Sequence, residues 1–292
     1  MNIGRVGIWS FGLELQPAAR AQEAAAEVEA LGYGALWIPE AMGREVFTHA
    51  GLLLAATHRL VIASGIANIW ARDAVTMAAA QKTLAEAYPD RFLLGIGVSH
   101  APMVEMVRGH RYEKPLSTMR AYLDAMDAAP CIAPPPATNP IRVIGALAPK
   151  MLKLAAERTA GAHPYFVPPE HTVRAREIMG KGPLLAPEQA AVLETAPSKA
   201  REIARGHMAT YLGLPNYVNN LKRLGFSDGD IANGGSDRLV DAIVAWGDVD
   251  AVVKRVRAHH DAGADHVCIQ VLDADPRAVP VQQWRELAAA LL

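Results

Sequence analysis

Two apolar runs flank one amphipathic helix between Leu60 and His100, and this pattern constrains the fold more than any other part of the chain. The runs are LVIASGIANIWARD and RFLLGIGVSH, and each ends in glycine and polar residues. Continuous runs of Val, Ile and Leu on either side of a helix are typical of buried parallel strands joined by a crossover. Because chemistry in such folds lies where strands end, the ends of these two runs are candidate site residues.

The same strand and helix unit recurs along the chain. Eight apolar runs alternate with helices, which favours an α/β fold, a (β/α)8 TIM barrel, over an open sheet. The predicted strands cover residues 6–10, 35–40, 141–146, 162–167, 189–195 and 266–272, with two more starting at 60 and 92. The segment GKGPLLAPE is an alternative place for the seventh strand. Residues 196–248 contain several predicted helices and no strand, so they predict an enlarged helical crossover between strands seven and eight of a single domain, residues 1–292.

The composition excludes several partners. Lys and Arg number 29 against 30 Asp and Glu, so the balance favours neither nucleic acid nor an acidic membrane as a partner. No apolar run reaches the ~20 residues of a membrane span and no signal stretch opens the chain, which predicts a cytoplasmic protein. Cys131 and Cys268 have no metal-ligand spacing and predict free thiols in a reducing compartment.

Several segments together resemble one known family. They are EAAAEVEALGYGALWIPEA, ASGIANIWARDAVTMAAAQKTL, RFLLGIGVSHAP, IGALAPKMLKLAAERTAGA and the last strand and helix. In their order and spacing the chain resembles the luciferase-like monooxygenase superfamily, and within it the oxidoreductases that depend on the deazaflavin coenzyme F420. The resemblance implies a bacterial-luciferase-like barrel that binds F420 noncovalently at its mouth and transfers a hydride to or from a small organic substrate. It also implies a homodimer.

Two alternatives stay open at this point. An FMN-dependent monooxygenase of the same superfamily would use the same ring pocket, and a noncatalytic flavin- or deazaflavin-binding protein would keep the pocket without the chemistry. A metal-dependent enzyme on the same scaffold is a third possibility, but no cluster of histidines and carboxylates at predicted strand ends supports it.

The resemblance implies where the ring of the cofactor binds. In the family, the third strand ends in a bulge with a non-prolyl cis peptide behind the ring, and the matching bond joins Gly65 to Ile66. Ala67 and Asn68 follow in the same bulge, and Gly97, Val98 and Ser99 end the next strand. The residues alone favour a bulge or strand-end glycine with a trans bond at Gly65, and the resemblance reverses that preference. Asn68, Trp70 and Arg72 could contact the cofactor or substrate; alternatively, Arg72 and Asp73 stabilise a loop before the next helix.

Two polar residues are candidate acid or base groups. Glu40 follows the second strand, and a carboxylate in a half-apolar cleft can exchange a proton with a substrate or cofactor. His100 follows the fourth strand, aligns with a catalytic glutamate of some relatives, and titrates near neutral pH. The alternatives are that Glu40 caps the next loop or pairs with an arginine such as Arg44, and that His100 is a structural histidine. His58, His259 and His260 are predicted to be solvated.

The anionic tail of the cofactor needs a phosphate site, and the first turn of a helix provides one through free N–H groups. The resemblance places this site in the turn after the fifth strand, at Ala146, Leu147, Ala148, Pro149 and Lys150. Relatives often have two glycines here, so Leu147 and Ala148 depart from the pattern. The segment 214–220, with Tyr217, is a candidate substrate lid.

Overall fold

A computed structural model describes all residues from 1 to 292. The strands are β1 (Val6–Trp9), β2 (Ala35–Ile38), β3 (Val61–Ser64), β4 (Ala67–Asn68), β5 (Phe92–Gly97), β6 (Arg142–Ile144), β7 (Gly161–Ala162), β8 (Leu184–Leu185), β9 (Glu188–Val192), β10 (Ala245–Trp246) and β11 (Val267–Val271). The α-helices are α1 (Ala18–Ala30), α2 (Val46–Ala55), α3 (Ala74–Ala87), α4 (Pro115–Asp127), α5 (Pro149–Arg158), α6 (Pro169–Met179), α7 (Pro197–Leu212), α8 (Pro215–Arg223), α9 (Asp228–Ile231), α10 (Asp237–Ile243), α11 (Val249–Asp261) and α12 (Val281–Leu291). A 3₁₀ helix covers Gly12–Leu15 and a π-helix Met103–Val107.

All strand pairs are parallel, and the sheet curls. Its order is β10, β9, β11, β1, β2, β3, β5, β6, β7, β8, with β4 also on β5. β9 and β8 lie towards opposite ends of this order but are close in the chain, within residues 184–192. Leu184 N–H donates to Ala160 O on one side at 2.7 Å, and on the other side Cys268 N–H donates to Pro187 O at 3.1 Å. Residues 184–192, which form β8 and β9, therefore hydrogen-bond on one side to the chain at β7 and on the other side to β11, the last strand.

The inside of the curled sheet is filled by large side chains. Trp37 is fully buried and donates from Nε1 to His266 Nε2 at 3.1 Å, while the other ring nitrogen of His266 bonds Gly4 O at 2.9 Å. His163 stacks on Trp37 with ring centroids 4.2 Å apart. A Cβ on Gly7 would lie 2.7 Å from His266 Nε2, so the glycine in β1 makes room for the imidazole. These side chains close the interior at the amino ends of the strands. The carboxyl ends of the strands remain open for a site.

Helices begin and end where the local chemistry favours it. Asp73 caps α3 by accepting from Thr76 N–H, and Asp248 caps α11 by accepting from Ala251 N–H. Gly32 has a φ of +92° just after α1, a conformation that costs a glycine least. None of the helices is long and apolar enough to cross a membrane.

The α/β alternation predicted from the sequence is confirmed, with four differences. Residues 245–246 form a short strand on β9, so the prediction of no strand in 196–248 is wrong. The sixth strand is only Gly161–Ala162, shorter than the predicted 162–167, and the chain turns soon after it at Phe166, which has a φ of +59°. Both proposed places for the seventh strand contribute, as β8 and β9. His259 is not solvated: it is fully buried and bonds Thr172 and Gln189.

Candidate active site

The bulge between β3 and β4 is the most irregular point of the sheet. Ala63 is opposite Leu93 and Ala67 is opposite Ile96, so one extra residue is inserted on the β3 side. The peptide bond between Gly65 and Ile66 within it is cis. The resemblance implied a cis peptide bond at this position, and the structure contains it. The cofactor contacts predicted for Gly65, Ile66, Ala67 and Asn68 stay predictions.

The hydroxyl of Ser64 connects the bulge to β5. Its Oγ donates to Gly95 O at 2.8 Å and accepts from Gly95 N–H at 2.9 Å. A side chain thus supplies hydrogen bonds where the ladder between the two strands is interrupted. A Cβ on Gly95 would lie 2.1 Å from Ser64 O, so the two backbones are closer than a side chain allows.

The side chain of Ile66 lies over two glycines of the neighbouring strands. A Cβ on Gly97 would be 2.4 Å from Ile66 Cδ1, and one on Gly145 would be 3.3 Å from Ile66 Cγ2. Glycine at these positions therefore makes room for Ile66. The resemblance implies a cofactor contact for Gly97, which stays a prediction; in the structure the face of Gly97 that a side chain would occupy lies against Ile66.

Glu40 is held by three hydrogen bonds from the bulge and the loop after it. Its Oε2 accepts from Asn68 N–H at 2.7 Å and from Arg72 Nη1 at 2.9 Å, and its Oε1 pairs with Arg72 Nη2. The Glu40 side chain is 4% exposed and that of Arg72 10%. Two alternatives were predicted for Glu40, a cap on the next loop and an ion pair with an arginine such as Arg44. The structure contains the ion pair, and its arginine is Arg72. Arg44 instead donates to Gln16 O.

The carboxyl of Glu14 also lies near Glu40, and no sequence pattern predicted it as a site residue. Glu14 is 7% exposed, and its Oε1 has no hydrogen-bond partner. Burial, and then the negative charge of Glu40, raise the pKa of Glu14 to about 7. The Glu14 carboxyl is therefore partly protonated at neutral pH and lies near the ion pair of Glu40 and Arg72.

His100 follows β5, which lies two strands along the sheet from β2 and Glu40. Its Nδ1 is 3.1 Å from Asn216 Oδ1, and its ring centroid is 5.4 Å from that of Tyr217. Burial lowers the pKa of His100, and the contact with Asn216 opposes that shift. The residue before it, Ser99, has a φ of +58°, so the chain turns sharply after β5. The structure thus places the two candidate acid or base groups in separate surroundings.

The turn before α5 keeps its N–H groups free of a side-chain cap. Ala148 is the N-cap residue and makes no capping bond, while Pro149 occupies the first turn. His171 Nε2 lies 3.1 Å from Leu147 O and fixes the turn from behind. Ala146 is buried and Lys150 is exposed. An uncapped first turn with a lysine fits an anionic group.

A cluster of aromatic residues packs between the sheet and the helices that follow it, and of its members only Tyr217 was a candidate from the sequence. Tyr165, Phe166, His207, Tyr211 and Tyr217 have neighbouring ring centroids between 4.9 and 6.4 Å. They come from the loop after β7 and from α7 and α8. Only the tertiary fold gathers them, since no spacing in the sequence joins these three segments.

Glu188 lies beneath this cluster at the start of β9 and is 1% exposed. Its Oε2 accepts from Phe166 N–H at 3.1 Å, and its Oε1 has no partner. Burial raises the pKa of Glu188 to about 8, so its carboxyl is mostly neutral at pH 7. In the sequence, a glutamate at the start of an apolar strand could have indicated this buried carboxyl.

We expect Glu188 to make stability depend on pH. Below its unfolded pKa of 4.5 the carboxyl is protonated in both states and stability is complete; stability is lost as the pH rises through the folded value of about 8. In urea unfolding, Glu188→Gln should lie close to the wild type at pH 5 and exceed it by about 4 kcal/mol at pH 9, since each pKa unit is worth about 1.4 kcal/mol. The exposed Glu177→Gln should follow the wild type at both values. Equal stability of Glu188→Gln and wild type at pH 9 would contradict this assignment.

Two more buried polar atoms without partners lie beside the bulge. A Cβ on Gly65 would be 2.5 Å from Trp9 Nε1 and 3.1 Å from His163 Nε2. Neither nitrogen has a hydrogen-bond partner. The other nitrogen of His163 bonds Ala186 O at 2.7 Å, so it carries the ring proton and Nε2 is an acceptor. One donor and one acceptor are therefore available next to the bulge, which fits a heterocycle with polar edges.

A cavity of about 780 Å³ opens at the carboxyl ends of β1 and β11, against α7. Trp9 forms part of its wall, and Phe11, Tyr211 and Gln270 also line it. None of the predicted cofactor or catalytic residues lines this cavity. Trp9 therefore lies between the cavity and the bulge. No group of three or more His, Cys, Asp or Glu side chains is arranged to hold a metal ion.

The chain was compared with known proteins. The family model described as luciferase-like monooxygenase matches residues 5–266. A curated protein of Mycobacterium tuberculosis that bears the name of a coenzyme F420-dependent oxidoreductase is 25% identical, over 99% of this chain and 98% of the relative.

Solved structures share the fold. An F420-dependent secondary alcohol dehydrogenase in complex with an F420-acetone adduct has a TM-score of 0.78 at 15% identity and covers 99% of this chain and 98% of its own. The oxygenating constituent of 3,6-diketocamphane monooxygenase from Pseudomonas putida, in complex with FMN, has a TM-score of 0.69 at 16% identity, with coverages of 99% and 98%. At these identities the likeness concerns the fold alone.

Proposed function

Because the chain belongs to the luciferase-like monooxygenase family, we propose that it is an oxidoreductase that uses coenzyme F420 and transfers a hydride to or from a small organic substrate. The observation that carries this proposal is the match to the M. tuberculosis relative along nearly the whole of both chains. The unpartnered Trp9 Nε1 and His163 Nε2 beside the bulge support a heterocyclic cofactor there.

The architecture that we propose is a (β/α)8 barrel, with residues 1–292 as one domain and residues 196–248 as its helical insertion. The hydrogen bonds of residues 184–192 to strands on both sides support a closed sheet. Its mouth then lies at the carboxyl ends of the strands, where the bulge, the aromatic cluster and the cavity are found.

The proposed binding residues form two groups. Gly65, Ile66, Ala67 and Asn68 of the bulge, with Gly97, Val98 and Ser99 of the next strand, would hold the ring. The turn from Ala146 to Lys150 would hold the phosphate through its free N–H groups and the lysine charge. A deazaflavin supplies hydride chemistry at carbon and reacts poorly with oxygen.

We assign the acid or base role to His100 and a positioning role to Glu40. Asn216 Oδ1 is an acceptor, so His100 Nδ1 carries a proton and Nε2 keeps a lone pair that can take one. The lowered pKa of His100 keeps the ring neutral at pH 7. Both oxygens of Glu40 are engaged by Asn68 and Arg72, so Glu40 holds the bulge in place.

Titration of the purified protein with F420, followed by cofactor fluorescence, tests the proposal. We expect F420 to bind more tightly than FMN, and Lys150→Glu to weaken F420 binding about tenfold, since it reverses the charge at the helix N-terminus. Lys153→Glu, which removes an exposed pair with Glu157 in the next turn of α5, is the matched control and should bind F420 normally. His100→Gln should also bind F420 normally, because its role is proton transfer.

Other results would favour the alternatives. Tight FMN binding without F420 binding would replace the proposal by an FMN-dependent monooxygenase, for which the FMN complex of a structural relative is the supporting observation. F420 binding without reduction of F420 by alcohols or oxidation of its reduced form by ketones would favour a noncatalytic deazaflavin-binding protein. Equal effects of Lys150→Glu and Lys153→Glu would move the phosphate site away from α5.

A further inference from the structure

The cavity between β1, β11 and α7 has the size and lining of a binding site for a small organic molecule. Its volume of about 780 Å³ lies in the usual range for such sites. Trp9, Phe11 and Trp284 give it flat apolar walls, and Gln270 adds a polar group that is itself 5% exposed. A pocket with apolar walls and a few well-placed polar groups selects ligands by shape and by hydrogen bonds.

A chain of hydrogen bonds orients the amide of Gln270. Tyr165 donates its hydroxyl proton to Gln270 Oε1 at 2.7 Å. Because that proton is used, Tyr211 must be the donor in its 2.9 Å contact with Tyr165. Gln270 Nε2 has no partner in the protein, whereas its oxygen is fixed. The cavity therefore offers a hydrogen-bond donor in a defined direction.

The charges around the cavity disfavour an anionic ligand. Glu202, Asp273 and Asp275 line it with a single cation, Lys199. Lys199 is already paired with Glu194 at 2.6 Å. His207 adds no positive charge, because burial lowers its pKa to about 4. A carboxylate or phosphate would thus meet net negative charge.

We propose that this cavity binds an uncharged ketone with an aromatic or alicyclic body, and that Gln270 Nε2 donates to its carbonyl oxygen. Tyr165 and Tyr211 are positioning residues, since they act by fixing the amide of Gln270. The assignment of the ketone as a substrate rests on the proposed function, while its binding does not. Hydride transfer to this ketone would need its carbonyl carbon in contact with the ring, so Trp9, which lies between the cavity and the bulge, would have to move aside.

Binding of three probes of similar shape tests this assignment. Acetophenone carries the carbonyl, α-methylstyrene replaces it with a methylene group, and benzoate replaces it with a carboxylate. Calorimetry on both cofactor-free and F420-loaded protein should give acetophenone an affinity about five- to tenfold higher than α-methylstyrene, the value of one hydrogen bond. Benzoate should bind least.

Variants of Gln270 locate the effect. Gln270→Leu should remove the preference for acetophenone, and Gln270→Glu, which keeps an acceptor for Tyr165, should remove it without leaving that hydroxyl unpaired. Gln282→Leu, at an exposed glutamine of α12, should keep the preference. Equal binding of acetophenone and α-methylstyrene to the wild type, or a preference that survives both Gln270 variants, would overturn the proposal. A preference that is present in protein that fails to bind F420 would retain this site and reject the proposed function.

Discussion

Arg72→Met should lower the free energy of unfolding by about 3 to 5 kcal/mol, because it leaves the carboxylate of Glu40 buried without its counter-ion. Methionine keeps most of the length of the arginine, so the expected loss comes from charge and hydrogen bonds more than from packing. Arg72 also bonds Glu45 and lies 5.0 Å over the ring of Phe47, which adds to the loss. Equilibrium unfolding in urea, followed by circular dichroism, measures the change.

A matched exposed pair separates this effect from a general loss of charge. Arg20 pairs with Glu23, and their side chains are 72% and 63% exposed, so Arg20→Met should cost less than about 1 kcal/mol. The double variant Glu40→Gln with Arg72→Met should recover part of the stability, since it no longer buries a charge. A loss below 1 kcal/mol for Arg72→Met would show that Glu40 is not dependent on this arginine.

Gly95→Ala should destabilise the protein by at least about 3 kcal/mol, near the upper end of what overpacking costs. The added Cβ would lie 2.1 Å from Ser64 O, a backbone atom that cannot rotate away. To relieve the contact, β5 and the end of β3 must separate, and the two Ser64 Oγ bonds to Gly95 would be lost. Thermal and urea unfolding both report the change.

Gly51→Ala is the control for this substitution. Gly51 is inside α2, and its added Cβ would be 3.8 Å from Leu84 Cδ2, an ordinary contact. Alanine is the better helix residue, so this variant should gain about 0.5 to 1 kcal/mol. If Gly95→Ala is as stable as the wild type, the close approach of β3 and β5 is wrong.

Much of the fold could be predicted because it rests on local signals. The apolar runs at Val6, Val61 and Phe92 and the helices between them follow from periodicity, proline and glycine, which act within a few residues. Short or interrupted strands were harder. Residues 245–246 have only the length of a bridge, and their pairing with β9 depends on where α10 ends.

The site could be predicted only in part. The bulge at Gly65 and Ile66 was found from the resemblance, and an ion pair of Glu40 with an arginine was one of the predicted alternatives. The partner itself was not predicted, because Arg72 lies 32 positions away and Arg44 only four. Glu14, Glu188 and the aromatic cluster were missed, because long-range packing decides which polar groups are buried.

The sequence by itself determined the order of strands and helices and the family that the chain resembles, since both depend on residues close together or on a pattern along the whole chain. Only the tertiary structure decided what surrounds each polar group. It packed Ile66 against Gly97 and Gly145, paired Glu40 with Arg72, and placed the cavity at Trp9 and Gln270, next to the bulge. The cavity depends on the order of the sheet, which places β11, from the end of the chain, between β9 and β1.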